Sequence, residues 1–235
     1  MGYSFGVPIL TDGLIFTVDA LDKNSYPGSG TNWQSLVNTN HTSSMSNVNF
    51  TSAGTLTSFD FTGTNPSRCE WNNLGPTLQA QSTGTFSLWF QYDSASGNRY
   101  FLTMGQKSSA WNSNKYHLSL MADGDWFWGS YGAASRENTN VGTVLSTGTI
   151  YNICGNSDGK LYLNGNLDYT ADDAFWFNNA QTIDHVHIGQ LYNSGTPFTS
   201  QQFDGDLYSF CIWDRALTAQ EIKQNFEAQR TRFGI

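Results

Sequence analysis

The C-terminal stretch, residues 203–235, constrains the fold of this chain more than any other part of the sequence. It begins with a nearly continuous apolar and aromatic run that includes Leu207, Phe210, Ile212 and Trp213. A run of this kind is typical of a strand that is covered on both faces. The stretch therefore predicts a buried strand late in the fold, and helix signals follow it directly.

The helix signals begin at Thr218. Glu221 stands three residues later, so the two residues can form a capping box that satisfies two backbone N–H donors. Ile222 and Phe226 are four residues apart and share one face of such a helix. Burial of each apolar side chain contributes about 1.5–3 kcal/mol, more than the weak intrinsic helicity of so short a segment provides. We therefore expect a short helix that lies on a sheet.

The rest of the chain alternates short strand patterns with turn residues. A hairpin is predicted over residues 147–169, with a sharp turn at Asn164 and Gly165, a pair that suits positive φ. No βαβ spacing occurs, so the pattern predicts an all-β fold: an antiparallel jelly-roll β-sandwich with one short C-terminal helix. The other predicted strands are residues 13–20, 56–61, 67–71, 83–93, 99–105, 115–121, 125–131 and 184–192.

Charge and composition exclude some function classes. The 235 residues carry a formal net charge of -8, whereas a protein that covers phosphates needs a basic patch, so we expect no nucleic-acid partner. The N-terminal residues lack the basic start and continuous apolar stretch of a signal peptide. No segment approaches the ~20 apolar residues of a spanning helix, so no membrane association is expected. Cys69, Cys154 and Cys211 are odd in number and widely spaced, which predicts buried free thiols.

Three stretches carry a family resemblance. The sequence FDGDLYSFCIWDRALTAQEI, residues 203–222, resembles the closing signature of laminin-G-like, concanavalin A-like jelly-roll modules, and the hairpin of residues 147–169 is similar to theirs. Residues 21–33, LDKNSYPGSGTNW, resemble the opening of laminin-G-like proteins in virions of tailed phages, especially marine ones. The resemblance covers residues 13–235. It implies one laminin-G-like domain there, preceded by an N-terminal arm or edge strand of residues 1–12.

The superfamily includes lectins, glucanases, adhesion modules and virus structural proteins, so the resemblance indicates fold better than function. The leading hypothesis is a phage virion structural protein without catalytic activity, made in the host cytoplasm and placed in the virion. It would act as a capsid decoration, knob or fibre-head module through contacts with other capsid or tail proteins, with a homo-oligomer plausible. The alternative is a carbohydrate-binding lectin or host-receptor-binding module that contacts surface glycans. A glucanase-like glycoside hydrolase is the third reading.

The expectation of no enzymatic activity depends on two observations. Residues 155–159 match the GxSxG pattern, but a nucleophile elbow needs a helix next, and a strand pattern follows instead. Glycoside hydrolysis needs two carboxylates about 5–10 Å apart. The chain has only four Glu residues, and nothing matches the ExDxxE-like pattern of the superfamily's glucanases.

The sequence offers candidates for two kinds of metal site. His185 and His187 leave the same face of a predicted strand, where they could share a metal or make surface hydrogen bonds on an exposed face. No cofactor is required, but the resemblance implies that calcium could sit at the rim of the sandwich. Tyr208 stands where the family often has Asp, which weakens that carry-over. The calcium candidates are Glu70, Asp123, Asp125, Asp204 and Asp206.

Aromatic residues supply the candidates for glycan or partner contact, although most should fill the core. Trp126 and Trp128 share one strand face. The loop of residues 171–181 has polar neighbours, which predicts that its aromatic residues are exposed. The candidates are Trp111, Trp126, Trp128, Phe175, Trp176 and Phe177.

Overall fold

A computed structural model describes residues 8–62, 67–94, 99–120, 125–132 and 135–235, apart from the side chain of Arg136. The strands in chain order begin with β1 (Leu14–Asp19), β2 (Ser44–Ser46), β3 (Val48–Ala53), β4 (Leu56–Thr62), β5 (Arg68–Glu70), β6 (Thr85–Tyr92), β7 (Arg99–Gly105), β8 (Lys115–Leu120) and β9 (Trp126–Tyr131). They continue with β10 (Arg136–Val141), β11 (Ile150–Asn156), β12 (Lys160–Leu163), β13 (Asn166–Thr170), β14 (His185–Ile188), β15 (Tyr192–Asn193), β16 (Thr196–Pro197) and β17 (Asp204–Trp213). The helices are α1 (Gly75–Gln79) and α2 (Ala219–Gln229), with short 3-10 helices at Phe177–Asn179 and Arg230–Phe233.

The strands form two large antiparallel sheets. The eight-stranded sheet has the order β13-β12-β11-β6-β17-β4-β3, and β1 also pairs with β17. The seven-stranded sheet has the order β10-β9-β8-β7-β14-β5-β2, while β15 and β16 form a separate hairpin. This architecture confirms the predicted all-β jelly-roll sandwich with a short C-terminal helix. The division into an arm of residues 1–12 and a domain of residues 13–235 stays a prediction, and residues 1–7 lie outside the described residues.

The core lies between the two sheets and is rich in aromatic rings. Phe90 of the eight-stranded sheet packs edge-on against Trp126 of the seven-stranded sheet, with ring centroids 5.8 Å apart. Phe16 makes a similar edge-on contact with Trp71 at 5.5 Å. Edge-to-face pairs of this kind add about 0.5–1.5 kcal/mol each beyond the burial of their surface. The high aromatic content of the sequence is therefore largely used between the sheets.

The C-terminal elements match their prediction closely. The Thr218 side chain accepts a hydrogen bond from the Glu221 backbone N–H, and the Glu221 carboxylate accepts one from the Thr218 N–H, so the capping box is present. Phe226 stacks on Trp89 with ring centroids 5.5 Å apart, which seats α2 on the outer face of the eight-stranded sheet. Leu10 joins this assembly, because its N–H donates to the Asn225 Oδ1 at 2.8 Å.

Several local predictions are also settled by the structure. Asn164 and Gly165 have φ values of 49° and 72°, as the predicted tight turn requires. In the GxSxG stretch, residues 155 and 156 end β11 and residues 157–159 turn into β12, so a strand follows it as expected. The three cysteines are buried free thiols, as predicted. Helix α1, with a proline in its first turn, was not predicted. No helix in the described part of the chain is long and apolar enough to cross a membrane.

Candidate functional site

The outer face of the seven-stranded sheet carries a cleft lined largely by aromatic side chains. Successive side chains of a strand point to opposite faces, so Leu118 and Trp128 point into the core. His117 and Ser119 on β8, and Phe127 on β9, therefore point outward. The cleft has a volume of about 410 Å³, and we call it the aromatic cleft. Its lining consists of Tyr100, Trp111, His117, Ser119, Phe127, Thr139, Phe198 and Gln201.

Two loops build the walls of the aromatic cleft. Trp111, in the loop between β7 and β8, is 39% exposed and meets Tyr131 edge-on at 5.9 Å. Its backbone N–H donates to the Asn193 Oδ1 at 3.1 Å, which ties this loop to the β15–β16 hairpin. Phe198, just after the hairpin, packs edge-on against Tyr100 at 6.1 Å. Each wall of the cleft therefore carries an aromatic side chain, Trp111 on one wall and Phe198 on the other.

His117 forms the floor of the cleft and is only 1% exposed. Its ring is nearly parallel to those of Phe127 and Tyr131, at interplanar angles of 8° and 19°. The Nδ1 atom lies 3.5 Å from the Ser119 Oγ, while Nε2 has no hydrogen-bond partner in the described part of the chain. Burial, together with the charge of Lys115, lowers the pKa of His117 to about 3. The imidazole is therefore neutral at physiological pH.

A buried polar cluster lies beside the aromatic cleft and holds the hairpin in place. The Glu70 carboxylate lies 2.7 Å from the Lys107 Nζ and 3.2 Å from the His187 Nε2. Burial would raise the pKa of Glu70, but His187 and Lys107 outweigh it and hold that pKa well below its usual range. Lys107 also lies over the Tyr192 ring, 4.4 Å from the centroid. The cluster therefore joins β5 and β14 to the hairpin that walls the cleft.

The two readings of the strand histidines are corrected by this cluster. His185 and His187 are fully buried, so they do not sit on an exposed face. The His185 Nδ1 lies 2.9 Å from the Asp184 Oδ1, and His187 faces Glu70. In the described part of the chain no group of three or more His, Cys, Asp or Glu side chains is arranged to hold a metal ion. Tyr192 of the β15–β16 hairpin packs against both rings, with centroids 5.9 Å from His185 and 4.9 Å from His187.

The calcium candidates that the structure describes lie on or beside both sheets. Glu70 is engaged by Lys107, Arg68 and His187 on the seven-stranded sheet. Asp204 and Asp206 stand on β17 of the eight-stranded sheet. The other two candidates are Asp125, which directly precedes β9, and Asp123, which lies outside the described residues. A calcium ion bound by some of these residues stays a prediction.

Asp206 belongs instead to an acidic groove on the outer face of the eight-stranded sheet. The groove has a volume of about 370 Å³ and is lined by Asp60, Asp93, Asp206, Ser58 and Tyr208 among others. The Ser58 hydroxyl donates to the Asp206 Oδ1 at 2.6 Å. Burial raises the pKa of Asp206, and the charges of Asp93 and Asp60 raise it further against the hydrogen bond from Ser58. This acidic groove was not predicted from the sequence.

The structure separates the aromatic candidates into two groups. Trp111 is exposed and lines the aromatic cleft. Trp126 and Trp128 are fully buried on the inner sheet face, where the Trp128 Nε1–H donates to the Tyr116 hydroxyl at 2.6 Å. The predicted exposure of the 171–181 loop is wrong, because its aromatic side chains fold back and fill the end of the core. Those buried side chains are Phe175, Trp176 and Phe177.

Most residues of the aromatic cleft were not predicted from the sequence. Tyr100, His117, Phe127 and Phe198 were not among the candidates. A signal was present in residues 115–131, because the positions alternating with Leu118 and Trp128 include His117 and Phe127. That alternation places these two residues on the face opposite the core. It does not indicate that loops rise beside them to make a cleft.

Residues 62–223 match the family described as the concanavalin A-like lectin/glucanases superfamily. No match was found among the curated proteins. Among solved structures, the chain is similar to the Trypanosoma rangeli sialidase in complex with the inhibitor DANA, at 16% identity and a TM-score of 0.69. That match covers 99% of this chain and 35% of the sialidase, so the chain spans about a third of the length of the sialidases it matches.

A second similar structure is a carbohydrate-binding module. The chain resembles the CBM40 of the Ruminococcus gnavus IT-sialidase bound to alpha2,3 sialyllactose, with 14% identity and a TM-score of 0.60. The match covers 71% of this chain and 94% of the module. At these identities the two likenesses show a shared fold.

These comparisons correct one expectation from the sequence. The protein was expected not to be an enzyme, and that expectation is contradicted, because structures that share its fold are sialidases, one of them in complex with sialic acid. The ExDxxE-like carboxylate pattern belongs to one branch of the superfamily, so its absence says nothing about the other branches. A fold that also occurs in sialidases does not support that exclusion.

Proposed function

The chain belongs to the concanavalin A-like lectin/glucanases superfamily, and from this premise we propose that it binds carbohydrate in the aromatic cleft. The observation that carries the proposal is the composition of the lining. Tyr100, Trp111, Phe127 and Phe198 offer ring faces and edges, against which the C–H face of a sugar ring can pack. Ser119, Thr139 and Gln201 supply hydroxyl and amide groups for the sugar hydroxyls.

The size and form of the cleft also support this proposal. A volume of about 410 Å³ lies within the range of about 300–1,000 Å³ that is usual for small-molecule sites, which are largely apolar with a few placed polar groups. The walls are held by the buried cluster around Glu70 and by the contact of Trp111 with Asn193. A site with preformed walls loses little entropy when a ligand enters. The sialyllactose-bound CBM40 is further support, because it shares the fold over most of its length.

Isothermal titration with a panel of oligosaccharides tests the proposal. Each neutral glycan in the panel is matched with its sialylated form, so that both charge classes are sampled. We expect at least one glycan to bind with a dissociation constant on the order of millimolar or tighter. A panel in which no glycan binds would overturn the proposal.

A glycoside hydrolase that acts in the acidic groove is a second candidate, favoured by the raised pKa of Asp206 beside Asp60 and Asp93. Such hydrolysis uses one carboxyl group held protonated and a second one ionised. Incubation with the same glycan panel, followed by chromatography of released sugars, tests this candidate. Turnover that is lost in Asp206→Asn would support it, and the absence of turnover would contradict it.

The virion hypothesis adds a finer proposal about where the protein acts. It is supported by the resemblance of residues 21–33 to virion proteins of tailed phages, beside the general laminin-G-like signature of residues 203–222. The protein would then sit on the capsid, tail or fibre, as a homo-oligomer or beside other virion proteins, and present the aromatic cleft to host surface glycans. Mass spectrometry of purified particles tests this idea. A copy number in simple ratio to the major capsid protein would support it, and absence from the particles would overturn it.

A further inference from the structure

The charge around the aromatic cleft points to a narrower class of ligand. None of the described side chains that line it is a lysine or an arginine. Its one titratable nitrogen base, His117, is neutral at physiological pH because it is buried between aromatic rings. A glycan in this cleft therefore meets hydroxyl, amide and aromatic groups, with no fixed positive charge among the described lining residues.

The lysine closest to His117 along β8 does not serve the cleft. Lys115 is fully buried and donates from Nζ to the backbone carbonyl of Gln106. Burial lowers the pKa of Lys115 to about 8, although the charge of Asp184 acts in the opposite direction. The ammonium group is therefore held beneath the loop between β7 and β8, and Lys115 is not a lining residue of the cleft.

A negative charge stands at the edge of the cleft instead. Glu137 is exposed on β10, where it pairs with Gly129 of β9 and stands two residues from Thr139 of the cleft lining. Burial raises the pKa of Tyr131, and the Glu137 carboxylate raises it further, so that carboxylate lies close to the ring that stacks on His117. The formal net charge of the whole chain, with Glu137 included, is -8.

We propose that the aromatic cleft is a site for uncharged sugars and discriminates against sialylated and other anionic glycans. This inference rests on the proposed carbohydrate-binding function. An anionic sugar would lose water from its carboxylate without gaining a cationic partner, and Glu137 would repel it. The hydroxyls of a neutral sugar need only the groups that the cleft provides. The site would therefore differ in ligand class from the sialyllactose-bound module with which it shares a fold.

The matched glycan pairs of the titration panel test this inference. At pH 7 we expect the neutral member of a pair, such as lactose, to bind at least about tenfold more tightly than its α2,3-sialylated form. We expect Glu137→Gln to strengthen binding of the sialylated form several-fold and to leave binding of the neutral form unchanged. Asp158→Asn, which removes an exposed charge from the turn between β11 and β12, is the matched control and should change neither.

The possible outcomes distinguish a failure of this inference from a failure of the proposed carbohydrate binding. Sialylated members that bind as tightly as their neutral partners would overturn the inference and leave the carbohydrate-binding proposal standing. A panel without any binding would overturn that proposal, and the inference with it. Tighter binding of the neutral members, with a gain for the sialylated members in Glu137→Gln, would support both.

Discussion

The ring of His117 lies 4.9 Å from the ring of Phe127 and is nearly parallel to it, at an angle of 8°. The partner of His117 on the neighbouring strand is Gly129, and a Cβ placed on that glycine would come within 2.6 Å of the Phe127 ring. The absence of a side chain at Gly129 therefore allows the stack to close. The parallel rings hold the floor of the cleft in one geometry, so less conformational entropy is lost when a ligand binds.

Gly129→Ala is expected to weaken glycan binding about tenfold while the protein stays folded. The added methyl group displaces the Phe127 ring, and a displacement of this kind costs on the order of 1–3 kcal/mol. The φ of Gly129 is not in the left-handed region, so alanine is tolerated by the backbone. Titration with a glycan that the wild type binds measures the affinity, and a thermal melt of the same variant shows that it is folded. Unchanged affinity would show that the stack does not shape the site.

The neutral state of His117 predicts an acid-sensitive fold. Its pKa is about 3 in the folded protein and about 6.5 when unfolded, so the unfolded chain binds more protons between these values. Stability is therefore fully present above pH 6.5 and is lost as the pH falls toward 3. Between pH 7 and pH 5 this histidine alone should reduce the free energy of unfolding by about 2 kcal/mol.

Urea unfolding at several pH values measures that loss, and His117→Gln is the informative variant because it cannot titrate. His185, His187 and His41 also have lowered pKa values in the folded state, so they add to the loss in both proteins. The charged or titratable neighbours of His117 are Lys115, Tyr100 and Tyr131. A variant whose pH dependence equals that of the wild type would contradict this account.

The sequence predicts those parts of the fold that depend on local chemistry. The capping box of Thr218 and Glu221 and the turn at Asn164 and Gly165 each follow from residues that are close in the chain. The apolar run that includes Phe210 and Ile212 predicts a buried strand, because few other environments accept so many large apolar side chains. These signals are sufficient to give the class and architecture of the fold.

The candidate site depends on contacts between segments that are distant in the chain, and no local pattern encodes them. Glu70 meets Lys107 and His187 only because β14 pairs with both β5 and β7. Trp176 looks exposed from its polar neighbours, yet its loop fills the end of the core. Alternation along a strand gives two faces but does not say what covers the second one. For this reason the cleft could not be predicted, although two of its residues share a visible pattern.

Thr218→Ala should destabilise the protein by about 1 kcal/mol. The substitution removes the acceptor for the Glu221 N–H, and the Glu221 carboxylate, which also pairs with Arg215, loses the Thr218 hydroxyl. Urea unfolding measures the change. Ser29→Ala, at an exposed loop position, is the control and should lie within about 0.5 kcal/mol of the wild type. Equal stability of the two variants would show that α2 is held by packing alone.

Asp206→Asn is expected to stabilise the protein at pH 7, by about 1 kcal/mol or less. A raised pKa in the folded state means that the ionised carboxylate is disfavoured there, so removal of the charge relieves repulsion from Asp93 and Asp60. The gain should shrink as the pH falls and the wild-type carboxyl becomes protonated. Thermal melts of the wild type and the variant measure this difference. The same melts, repeated with calcium added after chelation, test the predicted calcium ion. A rise in melting temperature that is absent from the variant would place calcium in the acidic groove.

Trp111→Ala is expected to weaken glycan binding by at least about tenfold, because it removes the exposed aromatic wall of the cleft. The side chain is 39% exposed, so its loss should cost little stability. Leu167→Ala is the matched control, since Leu167 is exposed on β13 of the other sheet and should leave binding unchanged. Titration of both variants with the same glycan decides the matter. Equal loss in both would indicate a general effect on the fold, whereas undiminished binding in Trp111→Ala would place the glycan elsewhere on the sandwich.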